Sequence, residues 1–493
     1  MFLALDQSTS ATKALLFDDA GKLVDKESRD HAQHTPRPGW VEHDLDEIWA
    51  NTLEVARTLL GRHRGSWDEL EFLSISNQRE TALAFEADGG APVGRAIVWQ
   101  CRRSLPLCEA HLAAGAVETI RSKTGLLLDA YFSGSKWQWM VENDPSLAAR
   151  LESGEAVVAT IDAWLVHRLT GGGVFATDST NASRTLLYDI MELRWDEELC
   201  SLFKVPPRAL PEVRESGAEF GATTFEGLLP RPLPIRGVMG DSQGSLFAQR
   251  CFEPGSAKVT FGTGSSILLN LGAEPRLSDK GVVTTLAWVH DGVPTYAFEG
   301  IIISSASTLV WLRDQLGLIG DVAECEPLAR ELDGNDGVFL VPAFSGLGLP
   351  WWDAGARAAL VGLSGQSDRR HVVRAALESI AYQIRDALDA MRAEAGLELR
   401  RLHGDGGPTA NAFLMQFVAD LNQVDLRVNT VAECSPLGAV LAGRLGAGHF
   451  DDLAALAAEP REDLVYRPGR PGDWADAQHA AWQSAVARTL TPP

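Results

Sequence analysis

The sequence predicts an α/β protein of two domains, and three features predict it. At 493 residues the chain is too long for one ordinary hydrophobic core. Apolar, strand-like runs alternate with stretches of helical period along its length. Two segments far apart in the chain also follow one plan. Phe2-Leu-Ala-Leu-Asp-Gln-Ser-Thr-Ser-Ala-Thr-Lys-Ala-Leu-Leu-Phe17 reads as an apolar strand, a turn of small hydroxyl residues and a second apolar strand. Lys258-Val-Thr-Phe-Gly-Thr-Gly-Ser-Ser-Ile-Leu-Leu-Asn270 repeats that plan. A turn of Gly, Ser and Thr lets backbone N–H groups approach a polyanion, and its hydroxyls add donors. Two such turns, one in each half, can close on a triphosphate from both sides. Asp6, at the tip of the first strand, is placed to hold the metal that accompanies the phosphates. One such turn means little, because small polar turns are common in β structure. The pair carries the reading.

In chain order, residues 2–28 read as consecutive strands, with Asp19-Ala20-Gly21 as a turn. A helix starts at Asp44, where Asp44 and Glu47 form a capping box and Leu45, Ile48, Trp49, Thr52, Val55, Leu59 and Leu60 make one stripe. Strands follow at 71–76 and 96–100. Helices are expected at 133–143, 304–316, 367–395, 409–421 and 436–446, with strands near 337–342 and 425–428. On the helix at 133–143, Trp137 and Met140 face inward. Leu228-Leu-Pro-Arg-Pro-Leu-Pro234 reads as a rigid connector ahead of Gly237-Val-Met-Gly-Asp241, which puts the domain junction near 240–255.

Hydrophobic residues make up 45% and charged residues 22% of the chain, the profile of a globular protein. A net charge of −22 argues against a nucleic-acid or anionic-membrane surface. It does not argue against ATP, since a phosphate site needs only local donors and a metal. The cysteines (101, 108, 200, 251, 325 and 434) form no C-x-x-C pair, which fits a reducing compartment better than a disulfide framework or a zinc site. No basic stretch with a long apolar run precedes Asp6, and no run reaches membrane-spanning length. A cytoplasmic location is expected. Phosphate-loop, dinucleotide and protein-kinase signatures are all missing. Nucleotide binding would therefore use paired hairpins, as actin-like folds do.

Asp241 follows the strand Arg236-Gly-Val-Met, so its carboxylate is placed either to take a proton from a hydroxyl or to cap the following helix. Asn77-Gln-Arg-Glu80 follows the apolar strand Phe72-Leu-Ser-Ile75. Arg79 and Glu80 can present a donor fork and an acceptor to one vicinal diol only if the chain leaves the strand there; otherwise they are a solvated surface pair. Trp99 and Tyr131 can stack on the C–H face of a sugar, although an aromatic more often packs in a core. Asp405-Gly-Gly-Pro-Thr-Ala-Asn411 opens a helix; its glycines allow a flat base onto the backbone, or make an ordinary turn.

Taken together, these stretches resemble the FGGY carbohydrate kinases, and within them the glycerol kinases, from Asp6 to the C-terminal helix. Tyr131-Phe-Ser-Gly-Ser-Lys-Trp-Gln-Trp-Met-Val-Glu-Asn143 is similar to the first family pattern at every restricted position. Ala358-Ala-Leu-Val-Gly-Leu363 followed by His371-Val-Val-Arg-Ala-Ala-Leu-Glu378 is similar to the second. Gly39-Trp-Val-Glu-His-Asp44, Asn77-Gln-Arg-Glu-Thr81, Val98-Trp-Gln-Cys-Arg-Arg103, Thr180-Asn-Ala-Ser-Arg-Thr185 and Phe344-Ser-Gly-Leu-Gly-Leu-Pro350 resemble glycerol kinases specifically.

The resemblance implies two ribonuclease-H-like (actin-like ATPase) domains with the active site in the cleft between them. Residues 1–248 would bind the acceptor and 249–493 the nucleotide. Arg79, Glu80, Trp99 and Tyr131 would line a polyol site with Asp241 as general base. Asp6 would organise Mg²⁺, and Thr9, Ser10, Lys13 and Thr263 would meet the phosphates of ATP. Gly407 and Asn411 would hold the adenosine end. Homodimers or higher homo-oligomers are usual in the family.

Departures from the pattern bear on the acceptor. Glycerol kinases carry Asp-Gln-Gln where this chain has Asp241-Ser-Gln243, and Gly-Thr-Gly-Cys-Phe where it has Gly262-Thr-Gly-Ser-Ser266. Ser242 thus replaces a glutamine that contacts a glycerol hydroxyl, and Ser266 replaces a phenylalanine that covers the glycerol carbons. On the nucleotide side, Ala306 and Val310 replace a Gly and a Gln, and Ala11 replaces a hydroxyl residue. No Gly-Gly-x-Arg loop of the kind that resembles a sugar-bisphosphate regulatory site is visible around 225–235. The expected activity is ATP-dependent phosphorylation of a primary hydroxyl of glycerol or a related small polyol or sugar. The rivals are a kinase for a four- or five-carbon polyol or ketose such as xylulose, and a non-catalytic actin-like sugar-sensing ATPase. The Asp6 and Asp241 pair speaks against the last, since a sensor needs no base.

Overall fold

The computed structural model describes residues 1–491. Two large sheets grow from the two hairpins. In the first, β1 (Phe2–Gln7), β2 (Ala11–Phe17) and β3 (Leu23–Asp30) are antiparallel. On its other side β1 runs parallel to β4 (Phe72–Asn77). Outside β4 lies β6 (Leu233–Gly240), also parallel, and β5 (Glu219–Thr223) closes that edge in the antiparallel sense. The order is β5-β6-β4-β1-β2-β3.

The second sheet repeats the scheme. β7 (Ser256–Phe261) and β8 (Ser265–Gly272) form the hairpin, and β9 (Val283–His290) and β10 (Val293–Ile302) extend it through β10. Parallel to β7 come β11 (Arg401–Asp405) and then β12 (Leu426–Asn429), with β13 (Asp463–Tyr466) antiparallel at the edge. The order is β9-β10-β8-β7-β11-β12-β13. Antiparallel strands on one side of a central strand and parallel strands on the other, twice over, is the ribonuclease-H-like arrangement of actin-like ATPases.

Burial explains the sequence pattern of these strands. Phe2, Leu3, Ala4 and Leu5 are all buried, because both faces of β1 are covered, and the run is continuously apolar as central strands require. At the opposite extreme β3 carries Asp25, Lys26, Glu27 and Arg29, and charge on a sheet edge discourages pairing with another chain.

Helix α1 (Leu45–Arg62) starts where the sequence placed it, and the whole expected stripe is buried. Its cap is simpler than a capping box. The Asp44 side chain accepts from the backbone N–H groups of Asp46 and Glu47, but the Glu47 carboxylate accepts from Ala32 N–H. Helix α2 (Ser133–Asn143) buries Trp137 and Met140. The strand expected at 96–100 shortens to Ala96–Ile97, because the Cys101 N–H turns back to the Val98 carbonyl.

The proline-rich stretch is not a connector between domains. It lies inside the first half, leads directly into β6, and is tied down by Arg231 Nη2 donating to the Asp68 carbonyl at 2.8 Å. The chain crosses to the second sheet through α3 (Asp241–Ala248). In the second half, α4 (Ser307–Asp314) follows β10. Helix α5 (Arg369–Ala395) is capped reciprocally by Asp368 and His371 and ends at Gly396, whose φ of +57° suits glycine. Helix α6 (Ala412–Asn422) is capped by Asn411.

Helix α7 (Cys434–Gly446) belongs to the second half by sequence, yet packs against β6, β4 and β1 of the first sheet and against α3. There Gly438 meets the Gly244 carbonyl so closely that a Cβ would overlap it. All six cysteines are buried and free, and no helix among the described residues is long and apolar enough to cross a membrane.

Candidate active site

The turn between β1 and β2 is closed by Ser8, whose N–H and Oγ both donate to the Ala11 carbonyl at 3.0 and 2.9 Å. This leaves Thr9 half-buried and Ser10 exposed at the tip. The turn between β7 and β8 is tighter, with Gly262 N–H donating to the Gly264 carbonyl at 2.9 Å. A side chain at Gly264 would strike the Ile302 carbonyl, so the sequence must spend a glycine there. The Gly262 and Thr263 carbonyls accept from the N–H groups of Ala306, Ser305 and Ser307. Those bonds delay the start of α4 beyond the expected position 304, and Thr263 stays exposed at the turn.

Asp6 is buried at the end of β1. Its Oδ1 accepts from Ser76 Oγ at 2.9 Å, and its Oδ2 lies 3.2 Å from Lys13 Nζ. Burial raises the Asp6 carboxyl despite Lys13. A single hard carboxylate beside a phosphate-sized turn fits Mg²⁺, which takes most of its ligands from water and phosphate oxygens. Lys13 faces both Asp6 and Glu433, and these two carboxylates hold its ammonium above the usual range against the effect of burial.

At Arg79 and Glu80 the chain has left the strand. β4 ends at Asn77, and Glu80 sits at φ +62°, a left-handed conformation costly for a residue with a side chain. Both side chains are buried, so the surface-pair reading fails. Arg79 is a hub: Nη1 donates to Gln243 Oε1 at 3.1 Å and Nη2 to Glu299 Oε1 at 2.6 Å, while Nε lies 3.3 Å from Asp241 Oδ1. Glu80 Oε1 accepts from Arg184 Nε at 2.7 Å, and Arg184 also pairs with Glu299. The result is a closed buried ring, Arg79–Glu299–Arg184–Glu80, linking the two halves of the chain. Burial works to raise the Glu299 carboxyl, but Arg184 and Arg79 hold it down at about 2.

Asp241 is the first residue of α3 and does not cap it; Gly240 occupies the cap position. The Asp241 side chain is 44% exposed. Its Oδ1 accepts from Ser242 N–H at 2.6 Å, leaving Oδ2 without a partner among the described residues. Ser242 Oγ and Ser266 Oγ, the two departures from the glycerol-kinase pattern, lie 3.2 Å apart and bond each other between α3 and β8.

Trp99 and Tyr131 meet edge to face with ring centroids 5.4 Å apart. The loop bearing Tyr131 is held by Lys136, fully buried, whose Nζ donates to the carbonyls of Ala130, Tyr131 and Phe132. Trp99 Nε1 also donates to Thr9 Oγ1 at 2.9 Å. Thr9 Oγ1 then uses an acceptor site on the indole and keeps its own proton free to donate. Trp99→Phe keeps a ring but loses this bond, so nucleotide KM is expected to rise about three- to tenfold, as for one lost hydrogen bond. A double-mutant cycle with Thr9→Val checks it: once Thr9 is gone, Trp99→Phe should have little further effect on nucleotide KM.

At the far end, β11 delivers Asp405, and Gly407 faces open space with nothing within 4 Å of an added Cβ. Asn411 Oδ1 is taken by the Leu414 N–H at 2.9 Å, which leaves its amide group as the available donor.

Sequence reasoning missed Glu299 and Glu433, and gave Gln243 and Arg184 only as parts of motifs. Glu299 did leave a signal, a lone carboxylate inside the apolar strand Tyr296-Ala-Phe-Glu-Gly-Ile-Ile302.

Residues 1–248 match the FGGY family of carbohydrate kinases, N-terminal domain, and residues 257–447 match its C-terminal domain. The chain belongs to the FGGY family of carbohydrate kinases. It is 44% identical to glycerol kinase 1 of Thermotoga maritima, over 99% of each chain. It is also 44% identical to a glycerol kinase of Shewanella oneidensis, over 99% of this chain and 98% of that one. In structure it is similar to Plasmodium falciparum glycerol kinase with ADP, with a TM-score of 0.94 at 34% identity over 100% of this chain and 99% of that one. The xylulose kinase of Rhodospirillum rubrum shares the fold, with a TM-score of 0.86 at 23% identity over 99% and 98% of the two chains. This FGGY kinase thus combines the family's two-domain architecture with serines at two positions of its candidate acceptor wall.

Proposed function

We propose that this carbohydrate kinase transfers the γ-phosphoryl group of ATP to a primary hydroxyl of glycerol or a related small polyol or sugar. One observation carries the reading: Asp241 presents a free carboxylate oxygen beside Arg79, at the junction of the halves that carry the two phosphate turns. The glycerol kinases to which the chain is 44% identical, and the ADP-bound neighbour in structure, support both substrates.

Arg79 and Glu80 grip vicinal hydroxyls of the acceptor, and Trp99 and Tyr131 cover its C–H face. Asp241 takes the proton of the reacting hydroxyl as its oxygen attacks the γ-phosphorus; the bond to ADP breaks, and ADP leaves with that electron pair. Lys13, Thr9, Ser10 and Thr263 offset the charge of the phosphate oxygens, and Gly407 and Asn411 hold the adenosine end. Asp6 would hold Mg²⁺, which would supply positive charge against the same oxygens. Closure of the two halves excludes water, the competing acceptor. The enzyme works in the cytoplasm, as a homodimer or higher homo-oligomer.

The Ser242–Ser266 pair favours a second acceptor class. Two short hydroxyl side chains stand where the glycerol-kinase pattern has a long amide and an aromatic ring, so volume is gained and polar groups are added. A four- or five-carbon polyol or ketose offers extra oxygens to pair with them, whereas glycerol leaves them only their bond to each other or to water. A larger acceptor is therefore expected to reach kcat/KM at least equal to that of glycerol. The check is kcat/KM for glycerol, erythritol, xylitol, ribitol and xylulose. Ser242→Gln with Ser266→Phe should shift preference toward glycerol, and a clear glycerol preference in the unmodified enzyme rejects the argument.

A further inference from the structure

Glu433 takes no part in the reaction proposed above, yet it holds one of its cations. Lys13 Nζ lies 3.1 Å from Glu433 Oε2 as well as 3.2 Å from Asp6 Oδ2, and Glu433 Oε1 lies 3.0 Å from Lys26 Nζ on β3. The four charges alternate along one line: Asp6, Lys13, Glu433, Lys26. Their sum is zero. The Glu433 side chain is only 14% exposed, so its hold on Lys13 is less screened than that of a surface pair. Glu433 stands directly before α7, the helix that returns from the second half to pack on the first sheet. The Lys13–Glu433 contact therefore bridges the two halves at the mouth of the first phosphate turn.

A triphosphate arriving there adds negative charge to a set already balanced. Lys13 has one N–H beyond its two carboxylates, and a phosphate that draws on its charge competes with both of them. Without Mg²⁺, releasing Asp6 would leave a buried carboxylate with Ser76 alone. Releasing Glu433 is easier, because Lys26 remains bonded to it.

We propose that Glu433 is a placeholder anion, bonded to Lys13 in the empty enzyme and exchanged for a phosphate oxygen when nucleotide binds. The proposal rests on the reading of Lys13 as a phosphate contact. It makes Glu433 a positioning residue: it keeps Lys13 at the turn between turnovers and, by competing for it, weakens nucleotide affinity and speeds product release. Because Glu433 is fixed to α7, the exchange also links nucleotide occupancy to the contact between the two halves.

The test is calorimetric titration of ADP, with and without Mg²⁺, into the full chain and its variants. Glu433→Gln removes the competing charge and should tighten ADP binding about three- to tenfold, the scale of one partly screened ion pair. Lys26→Met changes an exposed residue and should act in the opposite sense. With Lys26 gone, Glu433 leans wholly on Lys13, and ADP binding should weaken about two- to threefold by the same reasoning. Both effects should vanish in a Lys13→Gln background, and the Lys26→Met effect should vanish in Glu433→Gln. If Lys13→Gln weakens ADP binding while Glu433→Gln leaves it unchanged or weaker, the placeholder role is overturned alone. If Lys13→Gln leaves ADP affinity unchanged, the phosphate reading of Lys13 falls, and the placeholder falls with it. Should Glu433→Gln not fold, the weakening by Lys26→Met and its loss in Lys13→Gln still decide.

Discussion

Asp241→Asn is expected to lower kcat at least about a hundredfold and to leave ATP affinity nearly unchanged. Asparagine has the same shape and can still accept from Ser242 N–H through Oδ1, so the start of α3 need not move. It cannot take a proton from the acceptor at the other atom. The half-exposed Asp241 side chain lies beside Arg79, an acceptor contact in the proposed function, so nucleotide binding is expected to be spared. Steady-state kinetics on the purified variant, with a thermal melt to establish folding, make the check. Near-normal turnover in a folded Asp241→Asn enzyme contradicts the general-base role.

Arg79→Ala should produce two large effects together. Loss of a charged donor to an acceptor hydroxyl costs about 1.5–3 kcal/mol, which raises acceptor KM by at least about tenfold while ATP KM barely changes. The same substitution breaks the buried ring and leaves Glu299 paired with Arg184 alone. Removing one partner of a buried ion pair typically costs about 3–5 kcal/mol; the surviving Arg184 places this variant at or below the low end of that range. Urea denaturation measures the second effect and initial-rate kinetics the first. An equal rise in both KM values would mean that Arg79 serves only the fold.

The parts of this molecule that sequence made legible share one property: each is local. The two hairpins announce themselves because a continuous apolar strand, a small-residue turn and another apolar strand are contiguous. Asp44 sits one residue before its helix, and the apolar stripe of α1 follows from period alone. The positions of Asp6, Arg79 and Asp241 just at or after strand ends were visible for the same reason. What could not be read was pairing across the chain. Nothing near position 299 says that its carboxylate will meet Arg79 and Arg184, and nothing near 433 says that it will meet Lys13. The turn of Glu80 into the left-handed region was equally hidden, since it depends on contacts that outweigh local preference. The proline-rich segment misled because composition marks stiffness without saying what lies at either end. The Glu47 half of the capping box failed because a longer-range donor, Ala32 N–H, took the carboxylate first.

The measurement that bears most directly on the account is ADP release by the purified chain with Mg²⁺ and ATP, with and without each polyol or ketose of the panel, in the unmodified enzyme and in Asp241→Asn. Release should be slow alone, accelerate strongly with at least one small polyol or ketose, and lose that acceleration in Asp241→Asn. Release that proceeds at the same rate whatever acceptor is supplied, and that survives Asp241→Asn, would contradict this and leave an ATPase in place of a kinase.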